Sequence, residues 1–474
     1  MGRTQSDSSF LDSCGGPCHG QPKYVEIKII MLLKNKNITV VGAGRTGVAT
    51  SNFLVSRQAS VTLLDIKSRI ELGRNLYSLR PNVRTLFECS EVPISSDLIV
   101  LSPGVDIHAS FLEEARKRGT QIISEIELAS RFTKTPIIAV TGTNGKSTVT
   151  TLIGDILRQA GKKVAVGGNL GTPFIALLEQ EPVDYFILEI STFQLEGIKT
   201  FRPDIAIILN ITPDHLDRHK TVEEYVNLKG RISAFQNEED ILVLNKDDEN
   251  VMKQGERCKA KKVFFSLLGK VVEGAYLENG SIFTCFDEKE QNVLPVGELQ
   301  TAMQFQIENL LSAIVVATLV NATKSDIANV AMRFKGLAHR IEWVRTVNEI
   351  DFINDSKGTN VGALHKSLKI FSRPIVLIAG GKDKGGDFRV LKGLFKEKVK
   401  HLVLIGETKN KFREILNGSF SYEDAESMED AVGRAMKKSI AGDIVLLSPG
   451  CSSFDMFESF VERGNQFKEI VGRL

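Results

Sequence analysis

A chain of 474 residues is long enough for about three domains. Its 60 Lys+Arg stand against 58 Asp+Glu, and a net charge of +2 gives no reason to expect nucleic acid as a partner. No apolar run reaches the roughly 18 residues that cross a bilayer, which excludes membrane insertion, and 42% apolar residues with 39 glycines suit a soluble α/β protein.

Residues 1–30 are rich in Ser, Gly and other polar residues, unlike the rest of the chain. No long apolar core comes after a basic end, so they read as a disordered extension or an upstream start rather than a signal peptide. The first domain is expected from Met31. Six cysteines (Cys14, Cys18, Cys89, Cys258, Cys285 and Cys451) lack disulfide-like or paired zinc spacing. That usage points to a reducing compartment, the cytoplasm. Cys14, Cys18 and His19 are metal-binding residue types, but as an isolated tail group they read as no site.

The first block opens with the strand of "NITVVGAGRTG" and a helix after it, then the strands of "SVTLLD" and "SDLIVLSPG". Strands alternating with helical stretches imply parallel βαβ units. Gly42, Gly44 and Gly47, with Asp65 about 20 residues on, fit the fingerprint in which glycines let a phosphate approach a helix N-terminus. Alone this predicts NAD, with another nucleotide or a bare turn as alternatives.

The second block begins at "TPIIAVTGTNGKSTVTTLIGDIL". Ile137 to Val140 read as a strand, and Val149, Leu152, Ile153, Ile156 and Leu157 as one apolar helix stripe. Gly142, Thr143, Asn144 and Gly145 then fall at a helix N-terminus, where free N–H groups favour anions. Lys146 is placed to reach β/γ-phosphates and the Ser147 hydroxyl to ligate Mg²⁺, with Thr148 next on the helix. Val140 stands where the full phosphate-loop pattern has Gly. The runs "YFILEIS", "DIAIILNIT" and "DILVLN" read as strands buried on both faces. Glu189 and Ser191, two apart, are expected on one face of a strand. His215 falls beyond the next strand. Ligands sit outside the carboxyl ends of parallel strands, so the loop, Glu189 and His215 are expected at one metal–nucleotide site.

A third block starts near "GLAHRIE", and "RPIVLIAGG", "VKHLVLIGE" and "GDIVLLSPG" are strands ending in Gly. The fold expected is α/β in three consecutive domains: a Rossmann-like domain over 31–131, a central P-loop ATPase-like parallel sheet over 132–336, and a Rossmann-like domain over 337–474.

The ordered motifs "TGTNGKST", "GGNLGTPF", "LEISTFQLE", "NITPDHLDRH", "GLAHRIE", "INDSKGTN" and "IAGGKDKGGDF" resemble those of the Mur ligases over about residues 35–474. "SPGCSSFDMFESFVERGNQF" is most similar to the branch that adds D-glutamate. The diamino-acid-adding branch resembles a pattern with an Asn-Pro-Arg cluster that this sequence lacks. The resemblance implies that ATP phosphorylates a carboxylate of UDP-N-acetylmuramoyl-L-alanine, and that the amine of D-glutamate displaces the phosphate during peptidoglycan precursor synthesis. It implies two Mg²⁺ ions held through Ser147, Glu189, His215 and Lys229, with Lys229 carbamylated, and Lys146, His215 and Lys229 as the catalytic set. Besides Gly142 to Thr148, the ATP residues implied are Asn309 at the adenine and Arg340 and Asp355 at phosphate and ribose. Arg45, Thr46, Ile66, Lys67, Ser102 and Gly104 are expected around UDP, which replaces NAD for the first block. Asn169, Ser191 and Gln194 are expected on the muramoyl-peptide side. Lys357, Thr359, Lys384, Ser453 and Phe460 are expected to hold D-glutamate. A monomer is expected, with the third domain closing through a hinge near Phe334 to Leu337. "FQIEN" stands where the family has His-Asn-x-x-Asn, so Phe305 and Gln306 depart from the pattern.

Overall fold

The computed structural model describes residues 33–215, 218–416 and 420–474. The extension, with Cys14, Cys18 and His19, lies outside the described residues. Five strands form the first sheet: β1 (Asn37–Val41), β2 (Ser60–Leu64), β3 (Arg84–Leu86), β4 (Leu98–Leu101) and β5 (Gln121–Ser124), in the order β3-β2-β1-β4-β5, all parallel. Helix α1 (Arg45–Ser56) starts directly after the Gly-rich turn. Helix α2 (Glu125–Ser130) comes after β5 and turns the chain toward the next sheet.

The central sheet has nine strands: β6 (Ile137–Thr141), β7 (Val164–Gly168), β8 (Tyr185–Glu189), β9 (Ile205–Ile208), β10 (Ile241–Asn245), β11 (Lys261–Ser266), β12 (Gly274–Glu278), β13 (Ser281–Phe286) and β14 (Lys289–Pro295). Their order is β14-β13-β12-β11-β10-β9-β6-β8-β7. Its helices include α3 (Lys146–Gln159), α4 (Phe174–Leu177), α5 (Thr192–Glu196), α6 (Val222–Gly230) and α7 (Ile307–Leu319). Every residue of the predicted α3 stripe is fully buried, packed with α7 against one face of the sheet. β12 to β14 are antiparallel, a departure from the all-parallel expectation. Asn279 and Gly280, both with positive φ, form the two-residue hairpin turn that an Asn-Gly pair favours.

The third sheet comprises β15 (Glu342–Val347), β16 (Ile350–Asn354), β17 (Ile375–Gly380), β18 (Val399–Ile405), β19 (Tyr422–Asp424) and β20 (Ile444–Leu447), ordered β15-β16-β20-β17-β18-β19. β15 alone pairs antiparallel, through a tight turn at Asn348 and Glu349. Helices α8 (Val361–Ile370) and α9 (Phe460–Arg473) flank loops that return to the central sheet.

The core of the first sheet runs without a break into that beneath the central sheet. α2 carries the polar side of this junction. Buried Glu127 accepts hydrogen bonds from the backbone N–H groups of Lys199, Thr200 and Phe201, from the Thr200 hydroxyl and from Arg131. Buried carboxylates persist when donors surround them, as here. Among the described residues no helix is long and apolar enough to cross a membrane.

Candidate active site

Each sheet has a point where the strand order reverses, and ligands favour the carboxyl ends there. In the first sheet that point lies between β1 and β4, and a cavity of about 660 Å³ opens at it. Arg45, Thr46, Ile66, Lys67, Ser102 and Gly104 line it, together with Asn169 from the loop after β7. Gly42 has a φ of 94°, and a Cβ there would come within 2.9 Å of Ser102, so the turn is closed to larger residues. Asp65 also lines the cavity, and it accepts from the Ala43 N–H at 2.6 Å and the Lys67 N–H at 2.9 Å. The acidic residue of the fingerprint thus braces its own turn.

In the central sheet the reversal falls at β6, between β8 and β9. The loop after β6 enters α3 through Gly145, at φ 90°, where a Cβ would overlap the Asn309 amide. Lys146 folds over this loop, its Nζ donating to the Gly142 and Thr143 carbonyls at 2.8 and 3.1 Å. Ser147 Oγ donates to Glu189 Oε2 at 2.6 Å, and Asn169 Nδ2 donates to Glu189 Oε1 at 2.6 Å. Burial raises the Glu189 carboxyl, but Lys146, Lys357, Ser147 and Asn169 outweigh it and hold the group below the ordinary range.

Lys229, on α6, is buried under the same loop, with Nζ donating to the Gly142 carbonyl at 2.8 Å and lying 4.6 Å from the centre of the Tyr225 ring. Burial, and after it the Lys146 ammonium, hold its amine well below the usual lysine range. His215 adopts a left-handed φ of 53°, its ring 5.1 Å from that of Phe193 and its Nε2 3.8 Å from Asp214 Oδ2. Burial raises the Asp214 carboxyl, yet Lys384, His215 and the Asn360 amide outweigh it and keep it low.

The third sheet brings its own loops onto this point. Lys357 Nζ donates to Ser147 Oγ at 2.6 Å and lies 5.5 Å from the Phe460 ring centre. Burial and the Arg340 charge bring the Lys357 amine down to about 8. Lys384 Nζ stands 3.8 Å from Asp214, and Asn360 Nδ2 donates to Asp214 at 2.8 Å. Thr359 lies in the turn between Lys357 and Asn360, and its N–H donates to the Lys357 carbonyl. Ser453 is buried at the turn before Phe457, beside the segment that pairs Ser452 with Lys382. A narrow slot of about 80 Å³ separates the central and third sheets, lined by Asn144, Gly145, Phe305, Gln306, Asn309, Arg340 and Asp355. Burial raises the Asp355 carboxyl, although it accepts from Ser367 and Ser448. Among the described residues Arg340 Nε and Asn144 Nδ2 are buried donors without an acceptor, a pairing that suits an anion.

One expectation changes. Ser191 does not continue β8, which ends at Glu189; it caps α5, exchanging hydrogen bonds with Gln194 in a capping box. Both side chains are therefore engaged with each other. Thr148 is fully buried, and its hydroxyl donates to Gln306. Gln306 Oε1 also accepts from Asn309 Nδ2 at 3.4 Å, so the departure from the family pattern orients Asn309. Sequence reading passed over Asp214 and Asn210. Asn210, whose amide exchanges two bonds with the Asn144 backbone, stands at a strand's carboxyl end, a position that marks it.

For a magnesium ion, Ser147 Oγ and the Glu189 carboxylate offer the hard oxygen donors it prefers. Among the described residues no cluster of three or more His, Cys, Asp or Glu forms a site of its own. An ion here would complete its shell with phosphate and water oxygens, and would displace the Lys357 ammonium from Ser147.

The third sheet brings Lys357 to Ser147 of the loop after β6, and the first opens its cavity onto Asn169, the arrangement of a three-domain nucleotide-binding enzyme. Residues 36–124 match the model of the Mur ligase MurD-like N-terminal domain, residues 140–317 the Mur ligase middle domain, and residues 339–451 the Mur ligase glutamate ligase domain. The UDP-N-acetylmuramoylalanine--D-glutamate ligase of Koribacter versatilis (strain Ellin345) is 41% identical over 448 residues, 94% of this chain and 99% of that protein. The enzyme of the same name from Caldanaerobacter subterraneus subsp. tengcongensis is 44% identical over 449 residues, 93% of this chain and 99% of that protein. Among solved structures, the fold resembles a pseudomurein peptide ligase type C from Methanothermus fervidus (TM-score 0.61, 19% identity, 93% of this chain and 100% of that one). It also resembles UDP-N-acetylmuramate-alanine ligase MurC from Thermotoga maritima (TM-score 0.57, 16% identity, 92% and 99%). The chain belongs to the Mur ligase family.

Proposed function

We propose that this chain uses ATP to join D-glutamate to UDP-N-acetylmuramoyl-L-alanine, in peptidoglycan precursor synthesis. One observation carries the reading. The Glu189 carboxylate is shared by Ser147 of the nucleotide loop and Asn169, which lines the first cavity, while Lys357 reaches the same Ser147 from the third domain. One hydrogen-bonded chain thus joins side chains assigned to the three ligands.

Amide synthesis needs such a junction, because a carboxylate is a poor acyl donor. Transfer of the terminal phosphoryl of ATP to the alanine carboxylate makes an acyl phosphate and ADP. The amine of D-glutamate then attacks its carbonyl carbon, and the C–O bond to phosphate breaks. Two anions meet in the first step, so Lys146 and Arg340 are assigned to offset charge on the phosphoryl oxygens. Magnesium, held at Ser147 and Glu189, adds Lewis-acid charge when bound; a second ion is assigned to His215 and Lys229. We assign Lys229 as a carbamate: burial disfavours the ammonium form of its amine, the free amine is nucleophilic toward CO₂, and the adduct puts an anionic oxygen donor where the amine stood. Arg45, Thr46, Ile66, Lys67, Ser102 and Gly104 are assigned to UDP, and Asn309 and Asp355 to the nucleoside of ATP. Lys357, Thr359, Lys384, Ser453 and Phe460 are assigned to D-glutamate, whose two carboxylates suit lysine and hydroxyl donors. Joints near residues 131 and 336 separate the domains, and a cytoplasmic monomer suffices because one chain supplies every residue named.

Protein given ATP, Mg²⁺ and UDP-N-acetylmuramoyl-L-alanine should release phosphate with D-glutamate and not with L-glutamate or L-lysine. With ¹⁸O in the alanine carboxylate, one labelled oxygen should depart in the phosphate. Release of unlabelled phosphate alone, or turnover with L-lysine only, would overturn the reading.

A further inference from the structure

Arg218 lies outside every ligand seat described, yet it joins two of them. Its Nη2 donates to Glu196 Oε2 at 2.7 Å and to the Val105 carbonyl at 3.1 Å, and stands 3.9 Å from Asp106 Oδ1. The guanidinium carbon lies 4.4 Å from the centre of the Phe193 ring. Val105 and Asp106 belong to the lip of the 660 Å³ cavity, in the first domain. Glu196 and Phe193 belong to α5, which comes directly after Glu189 and its strand. Arg218 N–H and His219 N–H both donate to the His215 carbonyl, and the Phe193 ring beneath the guanidinium lies 5.1 Å from the His215 ring. One side chain therefore fastens the cavity lip to the turn that carries His215.

We propose that Arg218 is a positioning residue that transmits occupancy of the first-domain cavity to His215. Its planar fork can hold a carbonyl and a carboxylate at once, which a lysine ammonium on a flexible stem does less well. The Val105 carbonyl already holds the guanidinium at 3.1 Å, so a ligand that steadies the 102–109 loop steadies the guanidinium and, through it, the Phe193 ring that lies against His215. The inference rests on the reading of that cavity as the seat of UDP.

The test uses UDP alone and the full-length chain. Calorimetry first establishes that UDP binds; no binding would sink the assignment of the cavity and this inference together. With UDP saturating, hydrogen exchange at the Arg218 and His219 amides should slow several-fold in the wild type and stay unchanged in Arg218→Gln. Equal slowing in both proteins, or none in the wild type despite bound UDP, would overturn the relay while leaving the cavity assignment intact. In turnover, Arg218→Gln should lower kcat about tenfold with the intact substrate. With a substrate lacking the uridine portion it should match the wild type within twofold. A uniform loss with both substrates would mark Arg218 as merely structural. If Arg218→Gln does not fold, Arg218→Lys serves for both measurements, with a smaller loss expected.

Discussion

Lys146 and Lys229 share the Gly142 carbonyl as an acceptor, but they differ in what else surrounds them. Both feel the Glu189 and Asp214 charges, which offset part of their burial, but next after burial Lys146 feels the Glu189 carboxylate whereas Lys229 feels the Lys146 ammonium. Lys146→Ala should therefore lower phosphoryl transfer at least a thousand-fold while leaving affinity for the UDP substrate within about twofold, as single-turnover assays and calorimetry would check. Lys229→Ala should lose comparable activity and regain part of it with added acetate or formate; a ¹³C carbamate resonance in wild type exposed to labelled CO₂, absent from the variant, gives a check independent of turnover. Glu125 is a different case. It is fully buried, accepts from the Ile175 N–H at 2.7 Å, and burial pushes its carboxyl up to about 7 from an ordinary 4.5. A raised carboxyl favours the protonated folded chain, so its stabilisation is complete below pH 4.5 and is lost as pH rises through 7. The loss is on the order of 3 kcal/mol. Denaturation midpoints of Glu125→Gln should lack this decline, and a parallel decline in the variant would refute the assignment. Lys146 and Ser147 were legible because strand, loop and helix stripe are contiguous in sequence. Asp214 was not, because Asn360 and Lys384 approach it only after the third domain has folded back. Lys229 was not readable from its helix, because its amine is held by the Gly142 carbonyl of a loop far away in sequence, which no local pattern records.

At the level of elements, the parallel strands were legible because strands covered on both faces read as continuous apolar runs. The hairpins from β12 to β14 were missed, although the Asn279-Gly280 pair between β12 and β13 is a strong turn signal. The other tight turns, at Asp287-Glu288 and Asn348-Glu349, carry no such signature; cross-strand pairing imposes their positive φ. Period-two spacing put Ser191 on a strand, while the four-residue Ser-x-x-Gln capping pattern marked the helix start that wins. α2 shows how one element holds two domains. Removing Glu127 leaves three backbone N–H groups, a hydroxyl and an arginine without their acceptor. Glu127→Ala should cost about 3–5 kcal/mol in chemical denaturation, with Glu127→Gln between it and wild type.

Across the whole molecule, the third domain touches the central one through Lys357 on Ser147, Asn360 and Lys384 on Asp214, and Lys366 on Glu308 at 2.6 Å. Asp214→Ala removes one carboxylate that serves two of these residues. It should raise the KM for D-glutamate more than tenfold with the KM for the UDP substrate unchanged, and widen the particle in solution scattering. Unchanged scattering and an unchanged KM for D-glutamate would show that Asp214 does not fasten the domains. The division into three α/β units was readable from alternating strands and helices, whereas this fastening was not, since it exists only between folded units. The slot where the adenine is assigned measures about 80 Å³, and sites for drug-sized ligands span roughly 300–1,000 Å³. Purine mimics must consequently wait for the door to swing. Their association rates should level off with concentration at the frequency of that swing, while uridine mimics, entering an open mouth, should go on accelerating in proportion to dose.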